Sequence, residues 1–123
     1  MIKMRKRGGP DDFVAMAMTS LAEHSTNQHF MGQVNLWSDT PDTASGEVYF
    51  QAFHRVNGRD LFICGRYVDR YTRRDGRWLM AHRTEVVDWA RTEATIDEYS
   101  PGRPEIVRGT LDRNDLSYRI AEA

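Results

Sequence analysis

Two turn signals in the middle of the chain restrict its fold most strongly. Asn57-Gly58 and Asp75-Gly76 are the dipeptides best suited to the positive φ angles of a two-residue type I′ hairpin turn. The segments around them, Glu47–Val56, Asp60–Arg73 and Arg77–Trp89, are rich in aromatic and β-branched residues, which favour strands. The sequence therefore predicts three consecutive antiparallel strands joined by tight turns.

A helix and a further strand are predicted before this meander. Apolar residues at helical spacing predict one amphipathic helix over Asp11–Glu23, with Asp11 as its cap. Gln28–Trp37 has the composition of a strand, and the turn-forming residues of Ser38–Gly46 predict a loop. Ala90–Ala123 has two prolines, much charge and no period, so we expect an extended tail that wraps the surface or reaches a neighbouring subunit.

These elements fit one domain of the α+β class. With 123 residues there is room for a single core. The predicted strands are longer than usual, so the sheet should be strongly twisted and curved. We expect a cone-like antiparallel sheet of four long strands, with the N-terminal helix packed on its concave face.

Composition limits the partners and the location. The formal net charge of −1 gives no basic footprint for nucleic acid, and the basic stretch Lys3–Arg7 is interpreted as a solvated terminus. Cys64 is the only cysteine, which excludes an intrachain disulfide and favours an inert buried thiol. No apolar run is long enough to cross a bilayer. We expect a cytoplasmic protein that binds neither membrane nor nucleic acid.

Strand alternation places the residues that could carry chemistry. On the first strand, one face is predicted to hold His29, Met31, Gln33, Asn35 and Trp37. On the second, His54 shares a face with Val48, Phe50 and Ala52. On the third, Gly65, Tyr67, Asp69 and Tyr71 lie together, and on the fourth Leu79, Ala81, Arg83, Glu85 and Val87 do. The sequence thus predicts an apolar wall that carries a few polar groups, as in a small-molecule pocket.

Three of these residues suit acid–base chemistry. A histidine titrates near neutrality and can abstract a proton, and Arg83 can hold a developing anion. Each also has a structural interpretation: His29 and His54 can be satisfied structural residues, and Arg83 can pair with Glu85, Asp69 or the tail. The histidines are not at metal-ligand spacing, and no glycine-rich phosphate loop occurs. Cofactor-free chemistry therefore remains as the expected class, with no metal.

The chain resembles the SnoaL-like branch of the nuclear transport factor 2-like superfamily over Asp11–Trp89. The resemblance depends on the helix leading into Gln28–Gly32, on Gly65–Tyr71, and on Arg74–Trp78 ahead of Arg83. A tail segment, residues 111–118, is similar to endings of bacterial members. The resemblance implies a cone-shaped α+β domain whose curved sheet and helices enclose a pocket.

The resemblance also implies site residues. His29 and His54 match two histidines of scytalone dehydratase, and in hexachlorocyclohexane dehydrochlorinase a catalytic histidine and an arginine stand at the positions of His29 and Arg83. It implies His29 as general base, with His54 and Arg83 as further catalytic residues. We expect Met31, Phe50, Gly65 and Tyr67 to form the ligand surface beside them. Tyr67 stands where scytalone dehydratase has a substrate-binding asparagine, so that substrate is not expected.

Two expectations follow from how this chain differs from those enzymes. Their orienting aspartate lies in helices that precede the matched part, and it has no counterpart here. One helix also leaves a curved sheet partly uncovered, so we expect a homodimer in which a partner closes the concave face.

The predicted function is a cofactor-independent dehydratase-type lyase or an isomerase acting on a small, largely apolar substrate. The alternative is a non-catalytic ligand-binding or assembly module of the same fold.

Overall fold

A computed structural model describes residues 8–122, and the side chains of residues 8–120. The basic stretch Lys3–Arg7 lies outside this part. Its elements are one helix, α1 (Pro10–Leu21), four strands, and a terminal 3-10 helix (Leu116–Glu122). The strands are β1 (Thr26–Thr40), β2 (Thr43–Val56), β3 (Arg59–Arg74) and β4 (Arg77–Ala94).

The four strands form one antiparallel sheet in the order β1-β2-β3-β4, which confirms the meander and the α+β class. Asn57 and Gly58 have φ angles of 51° and 72°, and Asp75 and Gly76 have 50° and 74°. Positive φ at both central positions is the type I′ geometry that the two dipeptides predicted.

The segment Ser38–Gly46 is not the loop that its composition predicted. β1 continues to Thr40, and only Pro41 and Asp42 separate it from Thr43, where β2 begins. Thr40 and Thr43 pair across the hairpin, with their hydroxyls 2.7 Å apart. Hydrogen bonds between polar side chains on the two strands allow these turn-forming residues to extend the β1–β2 pairing.

Irregularities in the pairing reverse part of the predicted alternation. In β1 two residues, Gly32 and Gln33, stand opposite Tyr49 alone, because the register passes from Met31–Phe50 to Val34–Val48. Such a bulge shifts every following side chain to the other face. The predicted face of β1 is therefore wrong beyond Met31: Val34 and Leu36 join His29 and Met31, whereas Gln33, Asn35 and Trp37 lie on the opposite face.

β4 contains two similar irregularities. Asp88 is an extra residue between the Cys64–Trp89 and Gly65–Val87 pairs, and Ala81 is extra between the Arg70–His82 and Tyr71–Met80 pairs. Arg83, Glu85 and Val87 share a face as predicted. The prediction is wrong for Leu79 and Ala81, because the bulge at Ala81 brings Met80 and Trp78 to that face instead.

Most of the buried side chains lie on one face of the central strands, namely Val48, Phe50, Ala52 and His54 of β2 and Asp69 of β3. Asp60 is buried as well, but it lies on the opposite face, where it pairs with Arg55. Within residues 8–122 no second layer packs on the first group, so its burial comes from the curvature of the sheet, which brings neighbouring side chains together on its inner side. We refer to this side as the concave face and to the opposite side as the outer face.

The helix is confirmed, although its N-cap is Gly9 and the predicted cap Asp11 lies in the first turn; the predicted packing on the concave face is not seen. No residue of α1 is buried, and Phe13 and Met18 are 64% and 68% exposed. The tail begins at Thr95, later than expected, because β4 extends to Ala94. No helix in the part of the chain that the structure describes is long and apolar enough to span a membrane.

Candidate functional site

Histidines from three segments meet at one end of the concave face. The His54 ring centroid lies 4.9 Å from that of His24 and 5.4 Å from that of His29. His24 follows α1, His29 lies in β1, and His54 lies in β2. The register explains the proximity of the two strand histidines, because Asn27 pairs with His54 and His29 pairs with Ala52, so that all these side chains point to the same face.

The three imidazoles differ in environment. His54 is 8% exposed and His29 is exposed. Burial lowers the pKa of His54, and the nearby His24 and His29 lower it further. His54 is therefore neutral at neutral pH and can accept a proton.

Asn27 connects two of the histidines. Its Oδ1 lies 2.6 Å from Nδ1 of His24 and 2.7 Å from Nδ1 of His54. Among residues 8–120, no side chain hydrogen-bonds to His29. The polar partner in this cluster is therefore an amide.

A row of rings connects the histidines to Arg83. The rings of His29 and Phe50 have centroids 6.4 Å apart, and Phe50 stacks on Tyr67 at 4.5 Å with an interplanar angle of 19°. The Arg83 Cζ lies 4.1 Å from the centre of the Tyr67 ring. Burial raises the pKa of Tyr67, and the nearby Glu85 contributes to the rise, so its hydroxyl stays protonated at neutral pH.

Asp69 holds Arg83 in place. Arg83 donates from Nε to Oδ1 and from Nη2 to Oδ2 of Asp69, both at 2.8 Å, and the Tyr71 hydroxyl donates to Oδ2 at 2.6 Å. Of the pairings left open by the sequence, that with Asp69 is the one observed. Burial alone would raise the pKa of Asp69, but the hydrogen bonds from Arg83 and Tyr71 outweigh burial and lower it. The result is a fixed cation whose side chain is still about one-third exposed.

The concave face is thus polar at both ends and aromatic between them. Met31, Phe50 and Tyr67, three predicted ligand residues, lie on this face, since Met31 pairs with Phe50. Gly65 lies there as well, opposite Phe50. The structure brings His29 close to His54 and Phe50, while Arg83 lies at the other end of the row and does not contact either histidine.

One depression on the described surface, of about 300 Å³, opens on the outer face, and Phe50 and Gly65 line it together with outer-face residues that include Phe30, Tyr49, Cys64 and Trp89. It does not include His29, His54 or Arg83. A second depression lies along α1 and the turn that follows it. Cys64 is only half-buried, so the expectation of a buried thiol is wrong: the residue points to an uncovered outer face. In residues 8–120 no cluster of three or more histidine, cysteine, aspartate or glutamate side chains is placed to hold a metal ion.

Two features of the site are not defined by the sequence: the position of Asn27 and the choice of partner for Arg83. Asn27 precedes the predicted strand Gln28–Trp37, and only the extension of β1 to Thr26 places it opposite His54. Asp69 is one of three partners that the sequence leaves open for Arg83, and an acidic residue between tyrosines in a strand favours a cationic partner on the adjacent strand. The β3–β4 register selects Asp69, because it places Asp69 opposite Arg83.

Several solved structures share this architecture. The hexachlorocyclohexane dehydrochlorinase LinA type 2 superposes with a TM-score of 0.70 at 20% identity, covering 82% of this chain and 71% of that protein. LinA type 3 of Novosphingobium barchaimii gives 0.61 at 17% identity, covering 71% of this chain and 63% of that one. A scytalone dehydratase-like protein of Novosphingobium aromaticivorans gives 0.60 at 16%, covering 81% and 69%. Similarity at this level of identity shows a shared fold.

The sequence comparisons agree with the fold. No curated protein matches the chain. The profile of the SnoaL-like domain matches residues 3–84, which is well over half of the chain. This match includes α1, the first two strands, β3 and the beginning of β4 with Arg83. The chain therefore belongs to the SnoaL-like domain family.

Proposed function

We propose that this protein is a cofactor-independent lyase, of the dehydratase or dehydrohalogenase type, or an isomerase, acting on a small and largely apolar substrate. The observation that carries the proposal is the row across the concave face. It has a histidine pair at one end, stacked rings in the middle, and a fixed cation at the other end. The family membership and the structural similarity to dehydrochlorinases support the same class.

The reaction follows from these groups. A histidine of the His29–His54 pair takes a proton from a carbon of the substrate, and the electron pair of that C–H bond forms a double bond. In an elimination the leaving group departs with its bonding pair, as chloride or, once protonated, as water. Arg83, which Asp69 fixes at the other end of the row, stabilises negative charge on the part of the substrate that extends to it, and its guanidinium costs no reorganisation. An isomerase would return the proton to another carbon.

A substrate panel tests the proposal. Hexachlorocyclohexane isomers, chosen because a structural neighbour acts on them, are assayed by chloride release, and β-hydroxy ketones by the absorbance of the conjugated product. We expect turnover of at least one substrate, and a loss of about 100-fold or more in His29→Ala or His54→Ala. His82→Ala is the matched control, since His82 lies on the outer face, where it hydrogen-bonds to Thr84. Full activity in both His29→Ala and His54→Ala would contradict the assignment of the base.

Arg83 requires a separate pair of variants. Arg83→Lys keeps a positive charge and Arg83→Met does not, so the rate should fall further in Arg83→Met. Arg103→Met serves as the control, because Arg103 stacks on Tyr99 in the tail with a similar geometry, at 4.4 Å. Equal rates in Arg83→Lys and Arg83→Met would exclude a role for the charge.

The second candidate function is a non-catalytic ligand-binding or assembly module. It is favoured by one observation: His29 is exposed and the Arg83 side chain is about one-third exposed, so these two groups are open to solvent in the single chain. Co-purification of a larger partner, together with no turnover of any substrate in the panel, would support the module.

We also propose that a second copy of the chain closes the concave face in a homodimer. Met31, Val34 and Leu36 lie on that face and are 47%, 51% and 63% exposed in the single chain. Contiguous exposed apolar side chains of this kind mark interaction surfaces.

A further inference from the structure

The contact between Asn27 and two histidines has a chemical consequence. An amide oxygen is only an acceptor, so each imidazole nitrogen that it contacts must carry a hydrogen. The Oδ1 distances of 2.6 and 2.7 Å therefore place the protons of His24 and His54 on Nδ1. In the neutral rings, Nε2 is then the unprotonated nitrogen.

His54 is the better placed of the two strand histidines to act as a base. It is buried, its orientation is fixed by Asn27, and within residues 8–120 no side chain hydrogen-bonds to its Nε2. His29 is exposed and has no hydrogen bond to fix its ring. A base with a fixed lone pair needs no reorientation before proton transfer.

We infer that Asn27 acts as the positioning residue that a carboxylate provides in related dyads, and that it makes His54, rather than His29, the proton acceptor of the concave face. The role of His54 as a proton acceptor in a reaction rests on the proposed function. The orientation of the His54 ring by Asn27 rests on the geometry alone.

An amide partner also differs from a carboxylate in its electrostatics. It fixes the tautomer but adds no negative charge, so it does not favour the imidazolium form as an aspartate would. The charged or titratable groups that face His54 are His24, from the segment after α1, and His29, from β1; its neighbour on β3 is the apolar Leu61. Among the side chains of residues 8–120, no carboxylate takes part in this cluster, so His54 remains a neutral acceptor.

The test is histidine ring ¹⁵N NMR on the full chain. In the wild type at pH 8 we expect His54 to show a protonated Nδ1 and an unprotonated Nε2. In Asn27→Leu the fixed tautomer should be lost and the Nε2–H form should appear. Asn35→Leu is the matched control, since Asn35 is also in β1 but lies on the outer face, where its side chain accepts a hydrogen bond from Gln33. The inference is overturned if His54 of the wild type is protonated on Nε2. That result would arise if the Asn27 amide were reversed, so that its NH₂ group donated to Nδ1 of His54.

Asn27→Asp provides the second variant, because it keeps the size and the acceptor atom. The carboxylate should raise the pKa of His54 measured by the same NMR titration, and the acidic limb of the rate profile should move to higher pH. An unchanged His54 pKa in Asn27→Asp would contradict the contact.

Activity separates this inference from the proposed function. If a substrate is turned over, His54→Ala should lower the rate by about 100-fold or more, whereas His29→Ala should retain more activity. The opposite order refutes the choice of His54 and leaves the lyase assignment intact. If His54 carries its proton on Nδ1 as expected but no substrate is turned over, the lyase assignment is refuted and the positioning of His54 by Asn27 is still supported.

Discussion

At the scale of single residues, Asp69 decides how the concave face is built. Its side chain is fully buried, although it is an acid in a position that would suit an apolar residue. A buried carboxylate needs both charge compensation and hydrogen bonds, and Arg83 and Tyr71 supply them. The cation at the candidate site is therefore part of the structural core of the sheet.

Removal of Arg83 should be costly for this reason. Arg83→Met leaves Asp69 buried without a counter-charge, which typically costs about 3–5 kcal/mol in unfolding free energy. Because Arg83 is itself partly exposed, we expect a value near the lower limit, measured by urea unfolding. Arg73→Met is the control: its pair with Asp42, at 3.0 Å, is exposed on both sides, and such pairs contribute about 0–1 kcal/mol. Equal losses in the two variants would show that Asp69 does not depend on Arg83.

The pH dependence of stability should report on the same carboxylate. The folded-state pKa of Asp69 is lowered from its ordinary value of 3.8, so the unfolded chain binds a proton more readily than the folded one. The stabilisation is fully present above pH 3.8 and is lost as the pH falls through the lower folded-state value. In Asp69→Asn the unfolding free energy should therefore fall less steeply between pH 5 and pH 2. An acid limb as steep as that of the wild type would contradict this contribution.

At the scale of elements, the bulges in β1 and β4 set which side chains meet. Without the extra residue Ala81, the register that begins at the Arg74–Arg77 pair would put His82 opposite Asp69; the bulge puts Arg83 there. Gly65 lies beside the other bulge of β4, at Asp88. A Cβ added to Gly65 would collide with the carbonyl oxygen of Val86. The glycine thus permits the close approach of β3 and β4.

Gly65→Ala should consequently destabilise the sheet. Because backbone would have to move, we expect a loss of about 1–3 kcal/mol or more in unfolding free energy. Gly32→Ala is the matched control in β1, where the added Cβ would meet its nearest atom, the Tyr49 carbonyl oxygen, at an ordinary 3.5 Å. Chemical denaturation of both variants is the measurement, and a Gly65→Ala protein as stable as Gly32→Ala would argue against the close approach.

At the scale of the whole molecule, the single chain leaves much apolar surface uncovered. β1 and β4 are edge strands of 15 and 18 residues, and long edges with apolar side chains favour association. The apolar residues of α1 and the tail are exposed as well, including Phe13, Val107 and Ile120 at 64%, 74% and 75%. These features support the proposal that the concave face is closed by a second copy.

The dimer has a direct test in light scattering coupled to size exclusion. We expect a mass of twice 14.3 kDa at micromolar concentration. Val34→Asp puts a charge on the concave face and should shift the protein towards the monomer. Val68→Asp is the control, since Val68 is similarly exposed at 42% but lies on the outer face. A wild-type monomer, or equal dissociation by the two variants, would contradict closure of the concave face by a second copy.

Local sequence is sufficient to predict the central part of each strand and the pairing that depends on tight turns, but not the full lengths of β1, β2 and β4. Asn57-Gly58 fixes the β2–β3 register without interruption, because a type I′ turn is specified by the φ preferences of its two residues. His54 and Phe50 therefore share a face with Gly65, Tyr67 and Asp69. The positions of the bulges in β1 and β4 are not specified locally, because a bulge depends on the curvature and packing of the whole sheet. The pairing of Asp69 with Arg83, and the position of Asn27 between two histidines, are products of that long-range geometry.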